Sequence, residues 1–400
     1  MLTRNPRLWT HSLPVALVLL APFNLLASLG MDIYLPVVPA MPGILNTTPA
    51  VVQLTLTFYM IMLGVGQIVF GPLSDRLGRR PVLIGGAVVF AACSFALAAT
   101  SSAYPFVALR LLQAVGASAM LVALFATVRD VYADRPESAL VYSLMSAMLA
   151  FVPALGPIVG ALIVNAFGWR GVFIALGAPA VAMLALVLPQ WHETRPRNAA
   201  PRGTGFRPVF ASMAFWTYTM AFGTAMGAFF VFFSTAPRVL MEGAGLTELE
   251  FSLAFATVAL VMIATTRFAR RFVERWGIAG SVRRGMALFI LGAGLLMLGQ
   301  LVLAPSFLPF IVPMWLVAVG IVFTTSVTAN GALQAFGEIA GTAVALHFCI
   351  QSLIVGVIGT SFVVLLDGDT AWPLAAYVAA MATVTLLAQL RLGRGATRRS

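Results

Sequence analysis

Lysine is absent from this 400-residue sequence, so all 24 basic residues are arginines. A phosphate-binding loop of the GxxxxGK[ST] type needs a lysine, and pyridoxal phosphate enzymes bind their cofactor through one. The sequence therefore excludes ATP hydrolysis by such a loop and pyridoxal phosphate chemistry. Cysteine is nearly absent as well. Cys93 and Cys349 both lie within apolar runs, so neither a disulfide framework nor a cysteine metal site is expected.

Charged side chains are also scarce. Only 9% of the residues are charged and 60% are hydrophobic, whereas a soluble domain has about 25% charged residues. Water is therefore not the main solvent of this chain, and apolar blocks of about 20 residues, long enough to cross a bilayer, recur along it. They predict an all-α membrane protein with twelve transmembrane helices, at residues 13–35, 51–72, 82–100, 105–128, 138–165, 170–189, 209–236, 250–268, 283–303, 308–328, 341–366 and 372–391.

The distribution of arginine predicts how these helices are oriented. Twenty-one arginines fall in the tails and in the alternate loops that share one side with both termini. The opposite side has Arg170 and Arg238, and Arg110 lies inside a span. Arginine is enriched in the cytoplasmic loops of membrane proteins, so both termini are expected in the cytoplasm, with an uncleaved first helix. The net charge of +11 is therefore interpreted as a topology signal and not as a nucleic-acid-binding surface.

The longest hydrophilic stretch, residues 190–208, is rich in arginine and proline and divides the chain into two halves of similar length. It is interpreted as a flexible cytoplasmic linker. The sequence on either side predicts an N-terminal six-helix bundle, residues 1–189, and a C-terminal six-helix bundle, residues 209–400.

A weak internal repeat relates the two halves. Asp75–Gly78 after the second span matches Glu274–Gly277 after the eighth, an offset of 199 residues. Ala114–Gly116 in the fourth span matches Ala318–Gly320 in the tenth, an offset of 204 residues. Two related halves around a site at the membrane midplane are typical of secondary transporters.

Twelve of the thirteen acidic residues lie in loops or near the ends of predicted helices, which leaves Asp32 as the one placed within a span. An ionised carboxylate at the centre of a membrane helix costs roughly 2.5 to 3.5 kcal/mol, which favours a functional role, here proton coupling and substrate binding. Asn24 and Ser28 precede Asp32 at intervals of four residues, so the three share one helix face that should point into a cavity. Asn24 and Ser28 are thus candidate substrate-binding residues. A position at the helix end is the alternative for Asp32.

Arg110 is the one arginine well inside a span. A guanidinium does not lose its proton readily, so Arg110 must have polar partners, and we expect it to reach polar groups on the first helix. It is predicted to take part in proton coupling and in substrate binding. A purely structural clamp between helices is the alternative.

Residues 71–81, with the sequence GPLSDRLGRRP, follow the second span. Glycine and proline are expected to turn the chain tightly here, and Asp75 is expected to cap or neutralise a helix N-terminus. The whole pattern resembles the loop signature of the major facilitator superfamily. Arg110–Gly116 resembles the fourth-helix signature of that superfamily, and Ala154–Gly160 resembles the antiporter motif of its exporters. The resemblance implies conformational gating by Gly71, Asp75, Arg76, Gly78, Arg79, Arg80, Gly156, Pro157 and Gly160.

Four further segments, residues 31–36, 229–237, 328–333 and 369–373, resemble the florfenicol and chloramphenicol exporters of the drug:proton antiporter branch. This resemblance covers nearly the whole chain and implies the major facilitator fold. It also implies efflux of phenicol antibiotics across the bacterial inner membrane in exchange for protons, and hence drug resistance. The partners implied are the drug and membrane lipid, with the proton as coupling ion. No cofactor, metal or nucleic acid is expected, and the protein is expected to be a monomer.

Relatives often carry an acid where this chain has Asn24. Either Asp32 alone carries the proton, or coupling is weakened and Asn24 binds drug. The resemblance places Tyr59 near the pocket, and His347 is expected to be a hydrogen-bonded core residue. An apolar, adaptable binding surface for a substituted phenyl ring is predicted on the seventh helix, formed by Met226, Phe229, Phe230 and Phe233. Packing against other helices or lipid is the alternative for these residues.

Two other functions compete with drug efflux. A proton symporter for a sugar or an organic acid would favour more polar and basic groups within the spans than this sequence has. An integral-membrane enzyme would require a cluster such as His/Asp or Ser/His at catalytic spacing, and none is found. The sequence therefore favours an exporter that works by alternating access.

Overall fold

The computed structural model describes residues 13–132, 135, 137–195, 206–304, 306–336 and 339–397. These residues are almost entirely helical and contain no β-strand, which confirms the predicted all-α class. A 3₁₀-helix covers Leu35–Ala40, and π-helices cover Arg238–Gly243 and Ile354–Gly359. The α-helices are α1 (Leu13–Asp32), α2 (Met41–Ile44), α3 (Pro49–Leu77), α4 (Arg79–Ala99), α5 (Ala103–Tyr132), α6 (Ser138–Gln190), α7 (Arg207–Phe210), α8 (Met213–Pro237), α9 (Glu248–Val302), α10 (Phe307–Leu333), α11 (Ala340–Leu353), α12 (Thr360–Leu365) and α13 (Trp372–Thr397).

Ten helical stretches of the described chain are long and apolar enough to cross a membrane. Two helices are too long for one crossing: α6 has 53 residues and α9 has 55. At 1.5 Å per residue each is about 80 Å long, against a hydrocarbon core of about 30 Å. Each is interrupted by a glycine with positive φ, Gly168 (φ 71°) in α6 and Gly277 (φ 64°) in α9. If α6 and α9 are each divided at this glycine, the ten stretches become twelve, the number of spans that the sequence predicts.

The described chain forms two compact units, the first built from α1 to α6 and the second from α7 to α13. In the first unit, α5 packs against α3 and α4, and α6 packs against α1 and α4. In the second unit, α10 packs against α8 and α9, and α13 packs against the same two helices. Each unit is thus a separate helix bundle with its own core.

The internal repeat extends to a close helix contact within each unit. A Cβ added to Gly86 of α4 would lie 2.8 Å from the carbonyl oxygen of Gly116 in α5. A Cβ added to Gly285 of α9 would lie 2.8 Å from the carbonyl oxygen of Gly320 in α10. The two pairs have the sequence offsets of the repeat, 199 and 204 residues. Both units therefore use paired glycines for the same close helix approach.

The predicted linker, residues 190–208, overlaps the ends of two helices. Helix α6 continues to Gln190, and α7 begins at Arg207. The segment that follows α6 packs on the first unit, because Trp191 is buried and its ring lies 6.3 Å from the ring of Phe23, centroid to centroid. Residues 196–205 of the predicted linker lie outside the described residues.

Candidate functional site

Asp32 is the last residue of α1, and it is only 9% exposed. Helix α6 passes directly against it. A Cβ added to Gly156 would lie 2.6 Å from the Cβ of Asp32, and a Cβ added to Gly160 would overlap the carbonyl oxygen of Ile33. Pro157 lies between these two glycines inside α6. Glycine at both positions is therefore what allows α6 to contact the backbone around the buried carboxylate.

Arg110 of α5 is completely buried. Its Nη1 donates hydrogen bonds to the carbonyl oxygen of Gly30 in α1, at 2.8 Å, and to Oε1 of Gln113, at 2.6 Å. The guanidinium carbon also lies 4.9 Å from the ring centroid of Tyr34 and 4.7 Å from that of Tyr59, within the range of a cation–π interaction. Arg110 thus reaches the first helix as expected, through a carbonyl oxygen two residues before Asp32.

The contacts of Arg110 extend to two further helices of the first unit, α3 and α4. Nε2 of Gln113 donates to Oγ of Ser94 at 2.8 Å, and this hydroxyl donates to the carbonyl oxygen of Phe90 in α4 at 2.6 Å. The hydroxyl of Tyr59 in α3 donates to the carbonyl oxygen of Ala27 in α1 at 2.7 Å. Tyr59 is therefore fixed between Arg110 and α1, where it shapes the site even though its hydroxyl is already bonded.

Asp32 and Arg110 are not paired. None of the ion pairs among the described residues includes either of them. Two donors of Arg110, Nε and Nη2, are buried and have no hydrogen-bond partner among the described residues. A buried donor without a partner costs about 1 to 3 kcal/mol. In the part of the first unit that the structure describes, a buried carboxylate thus lies outside any ion pair, and a buried guanidinium has two donors without a partner.

Asn24 and Ser28 differ in how the structure uses them. Asn24 is fully buried, and its Nδ2 donates to the carbonyl oxygen of Met145 in α6 at 3.2 Å. Its Oδ1 has no hydrogen-bond partner within the described chain. Ser28 is partly exposed. The amide of Asn24 therefore ties α1 to α6, and its Oδ1 remains free to accept a hydrogen bond.

The structure corrects the expectation for the Gly71–Pro81 segment. Gly71 and Pro72 do not turn the chain, because both lie inside α3, which continues to Leu77. The break occurs at Gly78, whose φ of 109° is a conformation that favours glycine. Asp75 does not cap a helix, since its carboxylate instead pairs with Arg79 at 2.6 Å.

Arg79 is buried at the start of α4, where it bonds three side chains. Its Nη2 contacts Asp75, its Nε lies 2.8 Å from Oδ2 of Asp130 in α5, and its Nη1 donates to Oγ of Ser74 at 3.0 Å. Arg80 donates from Nη2 to the carbonyl oxygen of Leu188 in α6 at 2.7 Å. The two arginines therefore join the end of α3 to α5 and α6.

The residue that caps α4 is Glu193, which the sequence analysis did not single out. Its Oε1 accepts hydrogen bonds from the backbone amides of Arg79, Thr194 and Arg195, at 2.9, 3.0 and 2.9 Å, and its Oε2 accepts from the amide of Arg80 at 3.2 Å. Nη1 of Arg195 donates to the carbonyl oxygen of Arg76 at 2.6 Å. The segment after α6 is thus bound to the loop that resembles the superfamily signature. A lone acid amid the arginines of residues 190–208 was the signal available in the sequence.

We expect Glu193→Ala to lower the free energy of unfolding by about 2 kcal/mol, because four backbone amides lose their acceptor. Glu193→Gln should lose less, since one amide oxygen still accepts. The measurement is urea or thermal unfolding of the purified protein in detergent. Glu274→Gln is the matched control, because the one ion pair of Glu274 among the described residues is with Arg270 on an exposed helix face. Equal stability of Glu193→Ala and the wild type would contradict the capping role.

The predicted aromatic residues of the seventh helix lie on α8 in the second unit. Phe230 and Phe233 are buried, and Met226 and Phe229 are partly exposed. The ring of Phe229 lies 6.0 Å from that of Phe255 in α9, and the ring of Phe233 lies 5.9 Å from it. Phe229 and Phe233 therefore pack α8 against α9.

His347 is fully buried in the second unit, with Nδ1 2.9 Å from Oγ1 of Thr219. It is thus a hydrogen-bonded core residue, as expected. Within the described chain, no group of three or more His, Cys, Asp and Glu side chains could hold a metal ion.

Comparison with known proteins identifies the family. A model described as the Major Facilitator Superfamily matches residues 20–360. The chain is 49% identical over 379 residues to a "Chloramphenicol resistance protein" of Pseudomonas aeruginosa, a match that covers 94% of this chain and 90% of that protein. It is 32% identical over 261 residues to "Multidrug resistance protein MdtL" of Salmonella paratyphi B, which covers 64% of each.

Solved structures agree on the fold. A peptide transporter POT in complex with sulfate matches with a TM-score of 0.77 and 13% identity, over 96% of this chain and 94% of that chain. A bacterial homolog of the human lysosomal transporter Spinster, in an inward-facing and occupied conformation, matches with a TM-score of 0.72 and 15% identity, over 95% and 96% of the two chains. The chain therefore belongs to the major facilitator superfamily and is a multi-pass membrane transporter, not an enzyme.

Proposed function

We propose that this protein exports chloramphenicol and related phenicols, including florfenicol, from the bacterial cytoplasm in exchange for protons. The observation that carries the proposal is the 49% identity, over 94% of this chain, to a protein named for chloramphenicol resistance. A resistance protein of a transporter family lowers the intracellular drug concentration by moving drug outward. This direction disfavours the symporter alternative, which would carry its substrate inward.

Proton coupling in this proposal rests on Asp32. Its carboxylate is buried, has no ion-pair partner among the described residues, and lies against Gly156 of the segment that resembles the antiporter motif. A carboxylate in such surroundings exchanges its charge for a proton more readily than one held in an ion pair. Asp32 takes up a proton from the outer side and releases it to the cytoplasm in each cycle.

Arg110 supports this exchange through its two free donors. When Asp32 is deprotonated, Nε and Nη2 of Arg110 can accommodate the negative charge or bind the hydroxyl, amide or nitro oxygens of the drug. Protonation of Asp32 weakens its attraction to the guanidinium. The proton and the drug thus act on one group of residues in the first unit, which is the requirement for exchange by alternating access.

In this function the protein lies in the inner membrane, with both termini in the cytoplasm. It acts as a monomer and needs no bound cofactor. Phenicols are uncharged, so an exchange of one proton for one drug moves one charge inward. A membrane potential of 100 mV supplies roughly 2.3 kcal/mol per charge, which corresponds to roughly 50-fold accumulation of drug at equilibrium.

The test is drug uptake by inverted membrane vesicles from a susceptible host that expresses the protein. We expect energised vesicles to accumulate radiolabelled chloramphenicol, and we expect a protonophore to abolish accumulation while the drug stays chemically unchanged. Vesicles without the protein are the control. Accumulation that persists without a proton gradient would contradict antiport. If neither chloramphenicol nor florfenicol accumulates, the proposed substrate class is wrong.

A further inference from the structure

The end of the first span of α9 carries exposed arginines that no described acidic side chain neutralises. Residues 267–284 contain six arginines and a single acid, Glu274. Glu274 pairs with Arg270 at 2.8 Å, and Arg284 lies over the ring of Trp276, 4.6 Å from its centroid. The other four are exposed, and none of the ion pairs among the described residues includes them: Arg267, Arg271, Arg275 and Arg283.

The equivalent loop of the first unit treats its arginines differently. There Arg79 is buried between the carboxylates of Asp75 and Asp130, and Arg80 donates to the carbonyl oxygen of Leu188. The first unit thus neutralises or bonds these side chains internally. The second unit leaves a strong positive charge on its surface. An anion that neutralises this charge must therefore come from outside the unit.

Three of the free arginines form a stripe along one face of α9. Arg267, Arg271 and Arg275 are spaced by four residues and therefore lie one above another. Leu260 and Leu253 precede Arg267 by one and two sets of seven residues, so they lie on the same face, and they are 57% and 52% exposed. At 1.5 Å per residue, Leu260 is about 10 Å and Leu253 about 21 Å from Arg267 along the helix. The charged stripe thus continues an exposed apolar face of a membrane span.

Packing on the other side of α9 holds this stripe in place. The ring of Phe272 lies 5.1 Å from that of Trp276 and 6.0 Å from that of Phe323 in α10. Trp276 contacts Phe323 as well, at 5.1 Å. These rings fix the end of α9 against α10, so the arginine stripe is presented on a rigid helix and its backbone does not have to be ordered by a ligand.

We propose that the Arg267–Arg271–Arg275 stripe binds the phosphate of an anionic phospholipid, with the acyl chain against Leu260 and Leu253. A guanidinium binds phosphate with two parallel hydrogen bonds. Clusters of basic residues at the end of a membrane span attract anionic lipids, with about 1 kcal/mol for each arginine. A free phosphate would use the arginines alone, whereas the continuous apolar and charged face matches the two parts of a lipid.

The test compares ligands on the purified full chain in a neutral detergent, with Tm measured during titration. We expect dioleoyl phosphatidylglycerol to raise the Tm of the wild type, and we expect dioleoyl phosphatidylcholine and inorganic phosphate to leave it unchanged. In the triple variant Arg267→Gln, Arg271→Gln and Arg275→Gln, the apparent Kd for phosphatidylglycerol should weaken by roughly 100-fold. The triple arginine-to-lysine variant keeps the charge and should retain most of the affinity.

A second triple variant controls for net charge. Arg129→Gln, Arg135→Gln and Arg170→Gln remove the same charge from the first unit and should leave the apparent Kd within about threefold of the wild type. Equal weakening in both glutamine variants would overturn the proposal, because it would show a response to net charge alone. A Tm rise with inorganic phosphate of the same size as with phosphatidylglycerol would identify a phosphate site instead of a lipid site.

Discussion

Asp32→Asn is expected to abolish chloramphenicol resistance and proton-driven accumulation of the drug. Asparagine has the size of aspartate but cannot titrate, so the carrier loses the group proposed to carry the proton. The drug gradient that a potential of 100 mV can support should fall from up to roughly 50-fold to none. Growth on chloramphenicol and uptake by inverted vesicles measure the two effects.

The control for this substitution is Asp367→Asn, which makes the same chemical change at an exposed carboxylate after α12. It should leave resistance and accumulation unchanged. Resistance that survives in Asp32→Asn, together with drug-induced release of protons from vesicles, would show that another group carries the proton.

Arg110→Met is expected to abolish resistance and to destabilise the first unit. The carbonyl oxygen of Gly30 and Oε1 of Gln113 would lose their donor, and the rings of Tyr34 and Tyr59 would lose the cation between them. Removal of a hydrogen bond to a charged group costs about 1.5 to 3 kcal/mol, so we expect a loss of at least about 3 kcal/mol in the free energy of unfolding. Protein level, Tm and drug uptake are the measurements.

Two further variants separate the structural role of Arg110 from its role in transport. Arg110→Lys keeps a positive charge but not the two free donors of the guanidinium, so it should recover part of the stability and little of the transport. Arg170→Met is the matched control, because Arg170 also donates one hydrogen bond, to Ser101, and lies over one ring, that of Trp169, but at an exposed helix end. Full transport by Arg110→Lys would show that Arg110 serves only as a structural clamp between helices.

The sequence was sufficient to locate the two buried charges, because a charged side chain within a long apolar run stands out. It did not give their partners. Helical periodicity places Asp32 on a face of α1 but says nothing about how far α5 is displaced along α1. That displacement sets Arg110 beside the carbonyl oxygen of Gly30, two residues before the carboxylate. Partner choice depends on helix packing, which a single sequence does not encode locally.

The expectations of a tight turn at Gly71 and Pro72 and of a cap from Asp75 were wrong for a related reason. Glycine and proline usually end a helix in water, but within a membrane protein neighbouring helices can satisfy the backbone groups that proline frees. Helix α3 therefore continues through Gly71 and Pro72. The acid that caps α4 is Glu193, more than 100 residues away in the sequence. A cap contributed from so far along the chain cannot be recognised by a motif that spans four residues.

The break in α6 at Gly168 determines how motion can pass through the first unit. Only one residue with non-helical backbone angles separates the arm that touches Asp32 from the arm that ends beside Glu193. Because no loop connects the two arms, a movement of one arm along its axis must also move the other arm. If Gly156 shifts when Asp32 gains a proton, α6 alone would thus transmit that movement to the opposite membrane surface, without intervening loops.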